Sequence, residues 1–486
     1  MTDRPDQPSG QPRDLGRRRF FRQFAGEVAT SVGSVLGAAQ VLQQQSAEAA
    51  RELLAGDDPG AATPTAPAPT AAAPTAPTGA LPDVDAATAG YRAPLRWDGD
   101  VCWVVDQRRL PDVLSDIEVR GAADAVTAMN DGAITGGAVQ AQLAAVTLAL
   151  VAGRSVSSRA FARRATIRGA ANALRQTRPG SAALALTLDR MLALLETRDN
   201  DATGEAVEAA LRAEAEAVIA EASADHGGVV GNALTVLPGD PATPLRILTA
   251  GNTGAMGGGQ FGTAVSTILS AHHGGREVHA LVAEGRPGLD GARVATWELA
   301  QAAVPHALVT DAAAAGCIAE GEVDAVLVTA ERVCANGDVV GTAGTYPLAL
   351  AAHAAGIPFI VLCATTTVDL ATPDAAAAPL EDGRPGPVLN AAGTRVAPVG
   401  TPVRNPRLDC TPAALVSAVV TEEGIARSPF AEALAGQVRA ADARRAAAPG
   451  FAALLAARAA VEAEADAGGP DASDPTDAPA GSGVPS

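Results

Sequence analysis

Residues 245–275 place a glycine-rich turn between an apolar segment and a segment with helical periodicity. The first segment, LRILTA, is apolar enough for a buried strand, and the apolar residues after Gly262 recur at helical spacing. The turn between them, Gly251 to Gly259, can present backbone N–H groups to an anionic ligand at the start of a helix. Because ligands of open α/β sheets bind beyond the carboxyl ends of the strands, this turn predicts the position of a binding crevice.

Carboxyl side chains follow other apolar segments in the second half of the sequence. Glu284, Asp311 and Glu331 each come at or shortly after the end of such a segment. The segments are LRILTA, VHALVA, HALVT, DAVLVT and PFIVLC, with Ala-rich stretches of helical pattern between them. This alternation is typical of βαβ units and a parallel sheet. Because the carboxyl ends of parallel strands share one edge, we expect these carboxyl groups and Gly251 to surround one crevice.

A dinucleotide site is a weaker interpretation of the same turn. Gly257, Gly259 and Gly262 satisfy the pattern G-x-G-x-x-G, and Glu284 stands where such a site has an acid for the ribose. That pattern begins directly after its strand, whereas Gly257 is well separated from the end of LRILTA. The scattered carboxylates also lack the spacing of a metal site. We therefore predict no cofactor and no metal ion.

The composition favours a globular protein with a small-molecule substrate or ligand. The 486 residues, 48% of them hydrophobic, suffice for more than one domain. The formal net charge is −18, which argues against a nucleic-acid partner. The sequence contains 36 arginines and no lysine, which excludes a lysine Schiff base. Five cysteines without a CxxC pair indicate neither a disulfide framework nor a zinc site.

The chain divides into a folded body with an extension at each end. Residues 59–82 are almost only Pro, Ala, Thr and Gly, which predicts a linker, and the last residues are acidic and poor in large apolar groups. The first half of the body has apolar residues at helical spacing. The predicted fold class is α/β, with a helical N-terminal extension (1–55), a Pro/Ala-rich linker (56–90), a helical N-terminal domain (91–225), a Rossmann-like domain with a parallel sheet (226–430), C-terminal helices (431–465) and a disordered acidic tail (466–486).

The N-terminal extension has features of a twin-arginine export signal. Residues 17–19 are three arginines, followed by two phenylalanines and a moderately apolar stretch that leads to a small-x-small pattern ending at Ala49. Glu27 and several polar residues interrupt the part that should be apolar, and no run is long enough for a membrane span. We therefore expect a retained helix, a cytoplasmic protein and no membrane partner, with export as the alternative.

Between about Pro94 and Ile425 the chain resembles methylthioribose-1-phosphate isomerases, and more widely the family that includes ribose-1,5-bisphosphate isomerase and the regulatory subunits of eukaryotic initiation factor 2B. The segments that carry the resemblance are VVDQRRLP, LRQTRPGSA, LTAGNTGAMGGGQFGTA, AEGRPGLDGARVATWELA, ANGDVVGTAGTYPLA, TTTVDLATP, GTRVAP and NPRLDCTPAALVSAVVTEEGI. The resemblance implies a helical N-terminal domain, a Rossmann-like C-terminal domain and a homodimer.

The resemblance also assigns the catalytic positions. The family's catalytic cysteine falls on Gly251, which has no side chain and cannot move a proton. Its catalytic aspartate falls on Glu331, which keeps the carboxyl group but carries it one methylene further out. Glu331 is therefore the catalytic residue that the resemblance implies.

The family's binding positions are only partly retained. Its Asn-Lys pair falls on Gly341 and Thr342, its phosphate-loop arginine falls on Thr135, and its glutamine before Gly-Ala-Arg falls on Asp290. His226 is either a polar group near the crevice or a surface-loop histidine. The substrate-binding residues that the resemblance implies are Arg178, Gly251, Asn252, Thr253, Gly254, Asp290, Gly341 and Thr342.

Two functions fit these residues. In the first, the protein is an aldose-to-ketose isomerase-type enzyme on an altered sugar or sugar-phosphate-like substrate, with Glu331 as the proton carrier. Turnover of methylthioribose 1-phosphate itself is then expected to be very slow, because Asp290 puts a like charge near the phosphate and Thr135 removes a guanidinium. In the second, the fold is a non-catalytic ligand-sensing or assembly protein.

Overall fold

The computed structural model describes residues 93–197, 202–391 and 393–467. The predicted N-terminal extension, the linker and all but the first two residues of the predicted tail lie outside these ranges. The predictions made for those segments are therefore not tested by the structure.

The N-terminal part is a helical layer that begins with a small antiparallel sheet, which the sequence did not predict. The sheet consists of β1 (Leu95–Asp98), β2 (Val101–Val105) and β3 (Asp116–Val119). The helices are α1 (Ala122–Asn130), α2 (Gly137–Arg154), α3 (Ala160–Arg175), α4 (Ala182–Glu196) and α5 (Gly204–Leu234).

Helix α2 forms the centre of this layer. Its sequence GAVQAQLAAVTLALVAGR is apolar on nearly all sides, and residues 139–152 are all buried. By length and composition alone this helix could cross a membrane, and it is the one such helix in the described residues. Its burial against α4 and α5 gives the simpler explanation, because a helix that is apolar all round must be enclosed by protein or lipid.

The C-terminal part alternates strands and helices, as the sequence predicts. In chain order the elements are β4 (Leu245–Ala250), α6 (Ala255–Gly258), α7 (Ala264–His273), β5 (Val278–Ala283), α8 (Thr296–Gln301), β6 (His306–Val309), α9 (Asp311–Ala319), β7 (Ala325–Val328), β8 (Arg332–Cys334), β9 (Val339–Thr342), α10 (Thr345–Ala355), β10 (Phe359–Leu362), β11 (Val368–Asp369), α11 (Gly386–Leu389), β12 (Asn390–Ala391), β13 (Thr394–Arg395), β14 (Leu408–Thr411), β15 (Ala418–Thr421), β16 (Gly424–Ala426), α12 (Phe430–Arg445) and α13 (Pro449–Ala467).

Seven strands form the main sheet, in the order β16-β15-β10-β7-β4-β5-β6. The pairs from β15 to β6 are parallel, and β16 joins the edge antiparallel to β15. The α/β class with a helical N-terminal domain and a Rossmann-like parallel sheet is thus confirmed. The chain runs outward from β4 through β5 to β6 and then returns to β7 on the other side. Loops beyond the carboxyl ends of β4 and β7 therefore diverge and leave a crevice.

A second sheet, β11-β8-β9-β14, stands beyond the end of β7. Strands β8 and β9 pair antiparallel through the turn at residues 335–338, and β14 pairs antiparallel with β9. Glu331 lies at the bend between β7 and β8, where the chain passes from the main sheet to this one. Residues of the segments 383–387 and 405–408 line the crevice together with residues of this sheet.

Helix α5 ties the two parts together, and the predicted boundary between residues 225 and 226 falls inside it. Its end packs on α7 and β15 of the main sheet. Asp225 of α5 pairs with Arg444 and Arg445 of α12 at 2.9 and 2.6 Å. This buried network holds the C-terminal helices against the body.

Candidate functional site

A cavity of about 440 Å³ lies between the helical layer and the carboxyl ends of β4 and β7. Seven of the residues predicted for the site line it, namely Arg178, Asn252, Thr253, Gly254, Asp290, Glu331 and Thr342. Six arginines are also among its lining residues: Arg108, Arg178, Arg286, Arg293, Arg384 and Arg407. A volume of this size suits a small organic ligand.

Glu331 is fixed by its backbone at the turn from β7 into β8. Its N–H donates to the carbonyl of Val340, and its carbonyl accepts the N–H of Ala182, both at 2.9 Å. Its carboxyl group lies against the first residue of α2, because a Cβ added to Gly137 would come within 2.5 Å of Oε2. The carboxyl group therefore lies at the start of α2, and Glu331 lines the cavity.

Arg178 and Arg407 share one carboxylate at the cavity wall. The Nη1 of Arg178 lies 3.0 Å from Oε1 of Glu381, and the Nε of Arg407 lies 3.3 Å from the same oxygen. Within the described residues, Oε2 of Glu381 and Nε of Arg178 are buried without a hydrogen-bond partner. Burial and the neighbouring Arg178 both lower the pKa of Arg407. One carboxyl group thus holds two guanidinium groups beside the cavity.

Asp290 faces this arginine pair from the start of a π-helical turn, Gly291–Ala295. Burial raises the pKa of its carboxyl group above the ordinary value, while Arg178 and the hydroxyl of Thr135 act in the opposite direction. The raised pKa favours the neutral acid, which repels an anionic ligand less than the sequence suggests.

The glycine-rich turn is occupied by an internal carboxylate. The N–H groups of Ala255 and Met256 donate to Glu298 at 2.9 and 3.0 Å. A Cβ added to Gly254 would collide with that carboxylate. The prediction that the start of α6 offers its N–H groups to a ligand is therefore wrong for these two groups. Burial raises the pKa of Glu298 to about 7, while the two hydrogen bonds act in the opposite direction.

Asn252 is held at the cavity by a buried polar network. Its Nδ2 donates to Oε1 of Gln107 at 3.1 Å and to both oxygens of Thr135 at 2.9 Å. In the described part of the chain its buried Oδ1 has no hydrogen-bond partner. This oxygen can accept a hydrogen bond from a ligand hydroxyl. Thr135 stands where the family has its phosphate-loop arginine. In this chain it accepts hydrogen bonds from Asn252 and so holds that side chain in place.

Four residues predicted around the crevice do not line the cavity as the described residues form it: Gly251, Glu284, Asp311 and Gly341. Gly251 has a φ of +79°, and an added Cβ would lie in ordinary contact with Thr342, 3.7 Å from Oγ1. The space above Gly341 is filled by Thr345, whose Oγ1 would lie 2.7 Å from an added Cβ. Asp311 instead accepts the N–H groups of Gly285 and Arg286, at 2.9 and 2.6 Å. The expectation that Glu284 and Asp311 face the crevice is wrong.

His226 lies inside helix α5 and lines the cavity, so the surface-loop alternative is wrong. Its side chain is buried, and Nδ1 lies 2.8 Å from the carbonyl oxygen of Phe261. Burial lowers the pKa of His226, while Asp225 and that carbonyl act in the opposite direction. The imidazole is therefore neutral near pH 7, with Nδ1 donating and the lone pair on Nε2.

Sequence reasoning missed Arg407 and Gln107. Both stand inside segments that carried the family resemblance, NPRLDCTP and VVDQRRLP. The available signal was the charged or amide side chain itself within a segment that carries the resemblance. Only the fold brings these distant segments to the wall where Arg178 and Asn252 lie.

Comparisons with known proteins agree with this architecture. Residues 134–428 match the model of the Initiation factor 2 subunit family. The chain is similar to methylthioribose-1-phosphate isomerase of Chloroflexus aurantiacus, at 37% identity over 338 residues that make up 70% of this chain and 96% of that protein. It is similar to the protein of the same name from Anaeromyxobacter sp., at 38% identity over 338 residues, with 69% and 94% covered.

Two solved structures share the fold. The crystal structure of 5-methylthioribose 1-phosphate isomerase from Pyrococcus horikoshii has a TM-score of 0.64 at 27% identity, covering 72% of this chain and 96% of that one. The translation initiation factor eIF-2B, subunit delta, from A. fulgidus has a TM-score of 0.60 at 26% identity, covering 71% and 99%. These similarities confirm the family resemblance found in the sequence.

Proposed function

Because the chain belongs to the Initiation factor 2 subunit family, we propose that it is an aldose-to-ketose isomerase-type enzyme on an altered sugar or sugar-phosphate-like substrate. The observation that carries this proposal is the carboxyl group of Glu331 in a cavity shared with Arg178 and Asn252. Relatives at 37% and 38% identity bear the name methylthioribose-1-phosphate isomerase.

In the proposed reaction Glu331 takes the proton from C2 of an open-chain aldose and returns it to C1. The intermediate is an enediolate, and the carboxyl group ends in its starting state. The carboxyl group of Glu331 lies against Gly137 at the start of α2, and Arg407 is close enough to respond to its charge. Proton transfer by a positioned side chain contributes about 10²- to 10⁴-fold to a rate.

The arginines and amide of the cavity supply the binding contacts of the proposal. Arg178 and Arg407 both line the cavity and both pair with Glu381. Their guanidinium groups can hold a phosphate or carboxylate group of the ligand. The Oδ1 of Asn252, which has no hydrogen-bond partner in the described residues, can accept a hydrogen bond from a ligand hydroxyl. Burial raises the pKa of Asp290, while the neighbouring Arg178 lowers it, so this carboxyl group adds a polar contact to the same wall.

The substrate is proposed to differ from methylthioribose 1-phosphate because the catalytic positions differ. Gly251 brings no thiol to the turn, and none of the cavity-lining residues in the described ranges is a cysteine. Without a thiol in the cavity, the proposed enzyme has to move protons with other side chains, such as the carboxyl group of Glu331.

The test is deuterium exchange in D2O with ribose, ribose 5-phosphate, ribose 1-phosphate and methylthioribose 1-phosphate, followed by NMR. The expected result is deuterium at carbon and ketose formation with at least one of the first three sugars. Glu331→Gln should lower that rate about 10²-fold or more. The matched control is Glu320→Gln, because Glu320 is exposed at the end of α9. Equal rates for Glu331→Gln and the control would contradict the role of Glu331.

The alternative is a non-catalytic ligand-sensing or assembly protein. It is favoured by the lack of a side chain at Gly251 and by the similarity to an initiation factor subunit at a TM-score of 0.60. In that case a sugar or sugar phosphate binds, as a shift of the melting temperature reports, but no carbon-bound hydrogen exchanges. The same two measurements therefore separate the candidates.

A further inference from the structure

The imidazole of His226 lines the cavity and packs closely on Gly258. A Cβ added to Gly258 would lie 3.1 Å from Cε1 and from Nδ1 of the ring. The Gly257–Gly258 segment packs in turn on Gly136, at the start of α2, and the next residue, Gly137, touches the carboxyl group of Glu331. The imidazole and the carboxyl group therefore flank the same glycine contact between α6 and α2.

His226 lines this cavity and a smaller one beside α4, and its Nε2 has no partner within the protein as described. Nδ1 is engaged by the carbonyl of Phe261, and in the described residues Nε2 makes no hydrogen bond. Charged groups that pack near the ring are themselves paired. Asp225 is bound by Arg444 and Arg445, and Glu221 is bound by Arg190.

We propose that His226 is a second catalytic residue of this site and carries the hydroxyl proton during isomerisation. Its Nε2 takes the proton from O2 of the enediolate, and the imidazolium then donates that proton to O1. Glu331 moves the carbon-bound proton from C2 to C1, so both groups return to their starting states. This role rests on the proposed function.

Other titratable groups at the cavity are less suited to this step. Asp131 is paired with Arg384 at 2.8 Å, and Asp290 faces Arg178 and Arg407 at the binding wall. A neutral imidazole can both accept and donate a proton near pH 7. His226 thus supplies the chemistry that the missing thiol cannot.

The experiment compares His226→Gln with His279→Gln, since His279 is an exposed histidine on β5. In His226→Gln we expect kcat to fall about 10²-fold with KM little changed, because the binding wall is intact. Deuterium incorporation at C2 of recovered aldose should fall less than ketose formation, because carbon deprotonation still proceeds. The limb of the pH profile that titrates below the ordinary histidine pKa should disappear.

A second measurement uses the unaltered protein and does not depend on activity. The chain has six histidines, so ¹⁵N NMR of histidine-labelled protein can assign His226 by comparison with His226→Gln. We expect a neutral ring protonated on Nδ1 and a shift of the Nε2 signal when ribose 5-phosphate is added. The role of His226 alone would be overturned if His226→Gln kept the pH profile and kcat of the wild type. It would also be overturned if the chemical shift of Nε2 did not change on addition of ribose 5-phosphate. If the wild-type protein exchanges no carbon-bound hydrogen with any of the sugars, the proposed function is contradicted, and the role of His226 is contradicted with it.

Discussion

Replacement of Glu298 by glutamine should change how the stability of the protein depends on pH. The carboxyl group is buried, and it accepts the N–H groups of Ala255 and Met256. Burial raises the pKa of Glu298 from 4.5 to about 7. The folded protein therefore keeps a proton on Glu298 over a pH range in which the unfolded chain releases it.

The sign of the effect follows from this difference. A group whose pKa is higher in the folded state stabilises the fold fully below its unfolded pKa, and this stabilisation is lost as the pH rises through the folded value. For Glu298 the loss from about pH 5.5 to about pH 8.5 is about 2 kcal/mol, because one pKa unit corresponds to about 1.4 kcal/mol. In Glu298→Gln the group cannot ionise, but one backbone N–H of the turn loses its acceptor, at a cost of about 1–3 kcal/mol. The variant should thus be clearly less stable than the wild type at the lower pH. The difference between their free energies of unfolding should narrow by about 2 kcal/mol at the higher pH.

The assay is urea denaturation of both proteins at several pH values across this range. Other buried acids, such as Asp409, whose pKa burial raises to about 6, titrate in both proteins and cancel in the difference. Glu320→Gln controls for the loss of a negative charge at the surface. Parallel stability curves for the wild type and Glu298→Gln would refute the buried, proton-holding state of this group.

Further predictions concern the cavity and the whole protein. Gly251→Cys should cost about 1–2 kcal/mol of stability, because its φ of +79° is strained for any side chain, and it should leave turnover of methylthioribose 1-phosphate undetectable; a rate of about 1 per second or more would contradict this. Gly137→Ala should keep the melting temperature within a few degrees yet lower carbon exchange about a hundredfold, because the added Cβ displaces the flexible carboxyl group of Glu331; an unchanged rate would argue against that group. Arg407→Met should weaken binding of ribose 5-phosphate about 10- to 100-fold and that of ribose much less, as calorimetry can measure, with the exposed Arg404→Met as control. Light scattering should show a homodimer, and intact-mass measurement of the native protein should show no cleavage near Ala49.

The fold could be predicted from the sequence because its signals are local. The strands β4, β5, β6, β7 and β10 of the parallel sheet are short apolar runs with a helical segment in each interval between them, and such runs can be recognised without knowledge of their partners. Strands β15 and β16 and the small sheet of β1 to β3 were missed. No helix separates β1 from β2 or β15 from β16, so these segments lack the alternation of apolar run and helical pattern that identifies the other strands.

The candidate site could be predicted only where one segment contains the whole feature. The turn from Asn252 to Gly254 and the arginine of the Thr-Arg-Pro segment are such features, and they do line the cavity. Arg407 joins Arg178 through Glu381, and these three residues come from separate segments of the chain. No spacing rule links them, so the pair of guanidinium groups emerges only from the tertiary structure.

Glu298 shows that a turn with the sequence of an anion-binding site can be filled by a side chain of the same protein. The glycine-rich turn has the sequence of an anion-binding helix start, and the structure does place an anion-forming group on it. That group belongs to α8 of the same chain, far along the sequence from the turn. Because Glu298 satisfies the N–H groups of Ala255 and Met256, the turn fixes the position of Asn252 instead of binding the ligand with those groups. Recognition of a charged ligand is then left to the arginines that line the cavity, which is why binding at this site should respond to Arg407 more than to the glycines.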